Sequence, residues 1–332
     1  MLSSTGPQDM TTPTPETSSI PIPSLGIVSW HELELLHHFS TITYVTMAAR
    51  EDIRRMWQIN VPKMALKHDF LMHSLFSVTA LHIASSCPDN QSSYIDRAIR
   101  HHNIALREYS AELKSITREN SAALFTCATL TVISALSLVM LRPNEEQKGL
   151  SEGLLGIFML LRGVPLVLHA TWIWIEKSEI APLLIGREKD ESIVLSDEVT
   201  NAIKLLEDRN QWMSSSDADR NTYARAIQGL KECFNLLSSK DRDNGMVLTW
   251  PISLSPEYLE LLGSCQQMAV VILAHYAVIL NEIRDTWWEM GWGRKLIQEI
   301  HQLVHDEWKV LVAWPMDKIG MGRNMTGAAS PK

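Results

Sequence analysis

Gln266-Gln-Met-Ala-Val-Val-Ile-Leu-Ala-His-Tyr-Ala-Val-Ile-Leu-Asn281 reads as one helix that is apolar all the way round. A surface helix keeps a polar face; a helix without one is buried on every side. The run is shorter than the roughly 20 apolar residues a helix needs to cross a bilayer, so it belongs inside a helical domain. His275 is its one strongly polar interruption. Downstream stand Trp287-Trp288 and the tight Gly291-Trp292-Gly293. A striped segment follows, with Leu296, Ile297, Ile300, Leu303, Val304, Trp308 and Leu311 on one side. Its other side carries Lys295, Gln298, Glu299, Gln302, His305, Asp306 and Lys309. This pattern predicts a single surface helix with one face inward. Trp314-Pro315 should stop it, because proline cannot continue the hydrogen-bond ladder.

The upstream chain is also helical in pattern. Residues 1–26 hold five prolines, many Ser and Thr and almost no charge, the composition of a flexible tail. This segment lacks the basic start and continuous apolar core of a signal peptide, and the arginines of a mitochondrial presequence. Order is expected from Ser29, where Ser29 to Glu32 fits a capping box with Val28 and Leu33 as a hydrophobic staple. That helix should run through Leu36, Phe39 and Ile42. A central helix is expected across Lys63 to Ser85, ended by Pro88-Asp-Asn, and an amphipathic one from Ser92 to Ile116. Ala122 to Leu141 carries no charge over 20 residues, formally enough for a membrane span. Its recurrent Ser and Thr and the absence of a basic flank favour a buried helix. Gly153 to Ile175 is apolar but should break in two at Arg162-Gly163 and Pro165. Gly186 to Ser192 is a charged loop, and helices are expected at Asp197 to Met213 and Asp219 to Leu237. No stretch alternates as a strand does. The predicted class is all-α: a tail at 1–26, one helical domain over 27–320 and a flexible C-terminal tail at 321–332.

Composition bounds the function. A formal net charge of -8 with no basic block argues against direct binding of nucleic acid. Cys87, Cys127, Cys233 and Cys265 lie far apart with no CxxC pair, so neither a zinc site nor a disulfide framework is implied. Buried free thiols in a reducing compartment are expected. Eleven tryptophans are many for this length, and more than half fall from Trp250 onward. Large rigid aromatics build cores, and they also line pockets for flat apolar ligands.

Leu273-Ala-His-Tyr-Ala277, Trp287-Trp288, Gly291-Trp292-Gly293 and the closing Trp314-Pro315 resemble, in that order, the C-terminal regulatory domain of fungal six-cysteine zinc-cluster transcription regulators of the sterol uptake control type. Upstream residues fall in the order and spacing of the same family: Leu33-Glu-Leu-Leu-His-His-Phe39, Trp57 with Val61-Pro62, Leu81-His-Ile-Ala84, Tyr94 with His101-His102, and Leu161-Arg-Gly-Val164. The resemblance extends from about Trp30 to Gly320. It implies an all-helical domain, often dimeric, with a deep apolar pocket for a sterol-like ligand. Those regulators carry a six-cysteine DNA-reading cluster at the N-terminus, whereas no cysteine or basic residue precedes Ser29 here. The expectation is therefore the sensory half alone, without its own DNA-binding module, in the nucleus or cytoplasm.

Candidate site residues follow from the aromatic stretches and the resemblance together. His275, Tyr276, Trp287, Trp288, Trp292, Phe70 and Phe76 are the expected ligand-binding set. The ligand is a sterol or a terpenoid-like hydrophobic molecule; no cofactor is called for. His301 and His305 stand four apart as zinc ligands would. Gln302 replaces the glutamate of a zinc protease and no third ligand is evident, so surface histidines are the expectation. Gly320-Met-Gly322 follows no strand and opens no helix, which removes the phosphate-loop reading. Asn90-Gln-Ser and Asn324-Met-Thr are glycosylation sequons by letter only. His73, His82 and His275 are read first as core histidines satisfied by hydrogen bonds.

Two functional readings stand side by side. One is a non-enzymatic sensor that binds a hydrophobic ligand and acts through protein contacts, as a homodimer or paired with full-length regulators. The other is a cofactor-free cyclase or isomerase of secondary metabolism. It would use Trp287, Trp288 and Trp292 to stabilise a cation and Glu289 or His275 as the acid.

Overall fold

Ser29 opens the first helix through a reciprocal cap. Glu32 N–H donates to Ser29 Oγ at 3.3 Å, and Ser29 N–H donates to Glu32 Oε2 at 2.9 Å. This is the expected capping box, in which two otherwise unpaired donors are satisfied by side chains. The computed structural model describes residues 29–141, 150–161, 163–184, 194–213, 216–239, 244–282, 287–288 and 291–321. Val28, the loop from Gly186 to Ser192, Glu289 and Gly322 lie outside the described residues. Among the described residues there are helices and turns and no strand.

Helix α1 (Trp30–His38) passes through a π turn at Phe39–Thr43 into α2 (Tyr44–Thr46). Likewise α3 (Glu51–Arg55) passes through a π turn at Met56–Asn60 into α4 (Val61–Ala65). The long helices α5 (Asp69–Ser86), α6 (Gln91–Glu112) and α7 (Arg118–Leu141) follow. The single helix expected from Lys63 to Ser85 is broken. His68 leaves the helical region at φ -139°, ψ 99°, and its carbonyl accepts from the N–H groups of Leu71 and Met72 to start α5 afresh. The break divides a segment with Lys63 and Lys67 in solvent from one buried on all sides. The amphipathic α6 ends at Glu112, short of the expected Ile116, because Asn120 organises the turn. Its Oδ1 accepts from Thr117 N–H at 2.8 Å and its Nδ2 donates to Ser115 O at 3.0 Å.

α5 and α7 pack face to face through small polar residues. Ser74 Oγ lies 3.1 Å from Cys127 Sγ and Ser77 Oγ 3.3 Å from Ser134 Oγ. α7 is long and apolar enough to cross a membrane, yet 67% of its most apolar window is buried inside the structure. Its neighbours are α5, α6, α8 (Leu150–Leu161) and α9 (Gly163–Ile175), and this stretch bends by 42° between Gly153–Pro165 and Val167–Ile175.

The C-terminal half comprises α10 (Asp197–Trp212), α11 (Asp217–Ser238), α12 (Thr249–Ser253), α13 (Pro256–Gly263), α14 (Gln267–Glu282), α15 (Trp292–Leu303) and α16 (Lys309–Lys318). Every residue of α14 from Met268 to Leu280 is buried, as its all-round apolar pattern requires. α15 crosses it at Gly293. A Cβ there would lie 2.4 Å from Ala277 O and 2.7 Å from Asn281 Cβ. Gly291 caps α15 with φ 88°, a left-handed conformation that side chains disfavour.

Two expectations fail in this half. The striped segment forms two helices, because Gln267 clips it open: Gln267 Oε1 accepts from His305 N–H at 2.8 Å and Gln267 Nε2 donates to Leu303 O at 3.2 Å. Pro315 does not stop the chain but lies inside α16, where burial of Pro315 and Met316 offsets the one lost hydrogen bond. α16 ends instead on Gly320 at φ 80°, with Met321 N–H donating to Met316 O. α13 ends on the same two-bond motif, with Cys265 held at φ 54° in the glycine position. Cys127 and Cys233 are buried, but Cys87 and Cys265 are exposed, against the expectation for all four; none is in a disulfide.

Gly293→Ala should lower stability by about 1–3 kcal/mol despite alanine's better helix propensity, because a backbone carbonyl must shift. Cys265→Gly should raise it by about 0.5 kcal/mol by relieving the left-handed residue. Urea denaturation midpoints of the two variants, which move in opposite directions, provide the check.

Candidate functional site

An apolar cavity of about 120 Å³ lies between the two halves of the domain. The segment from α2 to the second π turn contributes Met47, Ile53 and Trp57. α7 contributes Phe125, Thr129, Val132 and Ile133. The first, second and third of these are spaced four and three apart and so share one helix face. The end of α8 and the start of α9 add Leu161, Val164, Pro165 and Leu168; Leu183 lies beside them. Gly245, Met246 and Leu248, with Ile252 of α12, form the opposite wall, and Trp288 completes it. Trp57 owes its direction to the π turn, whose wider winding shifts side chains off the regular helical face.

Polar chemistry in this wall is sparse. Thr129 spends its hydroxyl proton on Phe125 O at 3.1 Å, which leaves its oxygen as an acceptor. Trp288 is 2% exposed, and its ring N–H is buried without a hydrogen-bond partner. Among the described lining residues there is no carboxylate, imidazole or thiol.

Of the residues expected to bind ligand, Trp288 alone is in this wall. Trp287 turns the other way. Its ring N–H donates to Thr46 Oγ1 at 3.1 Å and its ring stacks on His82 at 5.1 Å. His82 Nδ1 in turn is hydrogen-bonded to Thr43 Oγ1 at 2.8 Å, with His38 5.4 Å away ring to ring. Tyr276 donates its hydroxyl to Val247 O at 3.1 Å and packs against Trp250 at 4.5 Å. Trp292 is fully buried where α15 crosses α14, and its ring N–H has no partner. Phe70 is buried against His68 and Tyr109, and Phe76 against His73 and His101. His275 is 1% exposed and stacked on Trp314. Its Nδ1 lies 2.9 Å from Val271 O, which can only accept, so Nδ1 carries the proton and the ring is tied to its own helix. The other acid candidate, Glu289, lies outside the described residues.

Burial holds several imidazoles neutral. His275 and His82 are both pushed down to about 4 by desolvation, His82 with a smaller contribution from His38. His101 also falls to about 4, through burial and then its neighbour His73, whose Nδ1 is 2.9 Å away. His301 is half-buried on α15 while His305 lies beyond the helix end and exposed. No group of three His, Cys, Asp or Glu side chains among the described residues is placed to hold a metal ion.

Sequence reasoning missed most of the cavity. Trp57, Leu161 and Val164 stand in stretches that carry the family resemblance, so the motifs marked the site while their aromatic and apolar character marked only core. The α7 face gave no signal, since a helix apolar on every side does not show which side faces a gap.

Residues 34–145 match the family model described as "Fungal specific transcription factor domain". The segment includes the Met47, Ile53 and Trp57 wall and the α7 wall. Over 305 residues the chain is 25% identical to a Zn(2)-C6 fungal-type transcription factor of Gibberella zeae, covering 86% of this chain and 61% of that protein. It is 34% identical over 83 residues to the Zn(2)-C6 fungal-type transcription factor afumD of Aspergillus fumigatus, 23% of this chain and 22% of the relative. Sterol uptake control protein 2 of Candida albicans is 26% identical over 150 residues, 44% of this chain and 20% of its own length. The chain thus spans about three fifths of the first of these relatives and about one fifth of the other two.

The buried histidines set an acid limit. Their folded pKa values near 4 lie below the ordinary 6.5, so the unfolded chain binds more protons between those two values. Their contribution is fully present above about pH 6.5 and is lost as pH falls toward 4, at about 1.4 kcal/mol per unit for a deeply buried group. Stability from urea titrations should therefore drop steeply from pH 6.5 to 4, and His275→Gln should flatten the slope by close to one proton. An unchanged slope in that variant would show that His275 does not stay neutral in the fold.

Proposed function

We propose that this chain is the ligand-sensing regulatory part of a fungal transcription regulator, with the cavity behind Trp288 as its hydrophobic ligand site. The observation that carries the reading is a coincidence of place. The transcription-factor match over residues 34–145 contains two of the cavity walls, Met47–Ile53–Trp57 and Phe125–Thr129–Val132–Ile133. Support extends along the chain, since similarity to the Gibberella zeae factor covers 86% of it. The occupant is a hydrophobic small molecule. A sterol is one candidate, by the name of the Candida albicans relative and by the apolar wall.

The wall favours binding over chemistry. Apolar side chains gain about 25 cal/mol for each Å² removed from water and ask nothing of the ligand but fit. Acid–base catalysis needs a titratable group within hydrogen-bond reach of the substrate, and the described wall offers none. On this reading the domain works in the nucleus through protein contacts. Its charge of -8 and lack of a basic block leave contact with nucleic acid to another module or partner.

Native mass spectrometry of the protein from a fungal host, with the extract of the denatured protein identified alongside, should show a stoichiometric hydrophobic mass recovered unchanged. Val132→Phe, which fills the cavity from α7, should lower affinity for that molecule at least tenfold without lowering the thermal midpoint. Equal affinity in wild type and Val132→Phe would move the ligand out of this cavity, and recovery of a converted product would turn the reading to an enzyme.

A further inference from the structure

We propose that the ligand is a one-ended amphiphile, with its apolar body on the buried floor of the cavity and its single polar group left at a mouth between α9, Leu183 and residues 245–252. The proposal rests on the ligand-sensing reading and adds to it the chemical class and orientation of the ligand.

Exposure is graded across the wall. Trp57, Phe125, Val132, Leu161 and Trp288 line the cavity and are buried. Pro165 and Leu168 of α9, Leu183, Gly245 and Ile252 line it as well, and each is partly exposed. These five belong to three separate stretches of chain, at 165–168, 183 and 245–252, which meet only around this cavity wall. Their shared exposure marks the side on which solvent reaches the cavity. The partly exposed residues are its mouth and the buried ones its floor.

Polarity follows the same gradient. The floor is built of apolar side chains, and the ring N–H of Trp288 is enclosed by protein and offers a ligand nothing. Thr129 carries the one hydroxyl among the described lining side chains, and it is partly exposed like the mouth residues. Gly245, without a side chain, brings only backbone to the mouth. An apolar body gains free energy on the floor by leaving water. A hydroxyl carried there would lose its water and find no partner, whereas one left at the mouth keeps its hydration. One polar end is therefore tolerated and a second, at the far end of the molecule, is not.

The test is calorimetric titration of the full chain and of Leu168→Lys with 1-octanol, 1,8-octanediol and octanoate. The alcohol and the diol share one chain length and differ in the second hydroxyl. Wild type should bind 1-octanol about tenfold tighter than 1,8-octanediol, the cost of burying one hydroxyl without a partner. Leu168→Lys places an ammonium at the mouth, at a position solvent already reaches. It should strengthen octanoate about fivefold relative to 1-octanol, as a partly exposed ion pair does. Equal affinity of wild type for the alcohol and the diol would overturn the proposal and leave the cavity as a ligand site. An octanoate-to-octanol ratio that Leu168→Lys leaves unchanged would overturn it too, since the polar end would then lie elsewhere. Binding of none of the three would also overturn it, whereas the sensor reading falls only if the protein from a fungal host carries no hydrophobic mass.

Discussion

The close crossing of α14 and α15 at Gly293 is the constraint from which the C-terminal half is built. Backbone meets backbone there, with the glycine Cα lying where any Cβ would strike Ala277 O and Asn281. That approach sinks Trp292 completely and lets α14 be enclosed on all sides. Around the enclosed helix the remaining elements find their places by single contacts. Tyr276 reaches Val247 O, His275 stacks on Trp314 of α16, Tyr258 donates to Ala269 O and Gln267 holds the α15–α16 junction. Each of these polar groups is satisfied by backbone or by an aromatic face, which is how an apolar core tolerates it.

The two adjacent tryptophans connect that half to the other. Trp287 reaches Thr46 and His82, on α2 and α5, and Trp288 closes the cavity. One peptide unit joins them, so the cavity wall and the Thr43–His82–Trp287–Thr46 network are neighbours along the chain. The partners of that network lie within the π-interrupted stretch from α1 to α2 and in α5. Both π turns flank this region, and their extra residue per turn gives Trp57 a direction that a regular helix would not. The cavity wall is thus assembled from segments distant in sequence rather than from one secondary-structure element.

Local signals in the sequence carried much of this architecture. The Ser29–Glu32 cap, the α8–α9 break and the total burial of α14 follow from short-range physics: capping geometry, glycine and proline, and the absence of a polar face. Two of the errors involve a distant residue. Nothing near His305 announces a helix break, because the clip comes from Gln267, and nothing near Pro315 announces that burial would keep it helical. The site was legible to a smaller degree. Trp288 was chosen as an aromatic in a motif, and the structure puts it in the cavity wall. The same argument chose Trp292, which fills the helix crossing instead. Aromatic character predicts burial in both cases, but whether a buried ring faces protein or a gap depends on the opposite wall, here α7 and residues 245–252.

That opposite wall has an energetic consequence. Apolar surfaces that face one another across about 120 Å³ forgo packing contacts. At about 24 cal/mol for each Å³, the forfeited packing is roughly 3 kcal/mol, and an unsatisfied indole N–H adds about 1–3 kcal/mol. For a fold whose net stability is of order 5–15 kcal/mol these are large concessions. Either could be removed by ordinary substitutions, a larger side chain at Val132 or phenylalanine at Trp288. A molecule that fills the space recovers the packing term. The free energy it returns then appears as stabilisation of the folded domain at the seam where α7, α9 and the tryptophan pair meet.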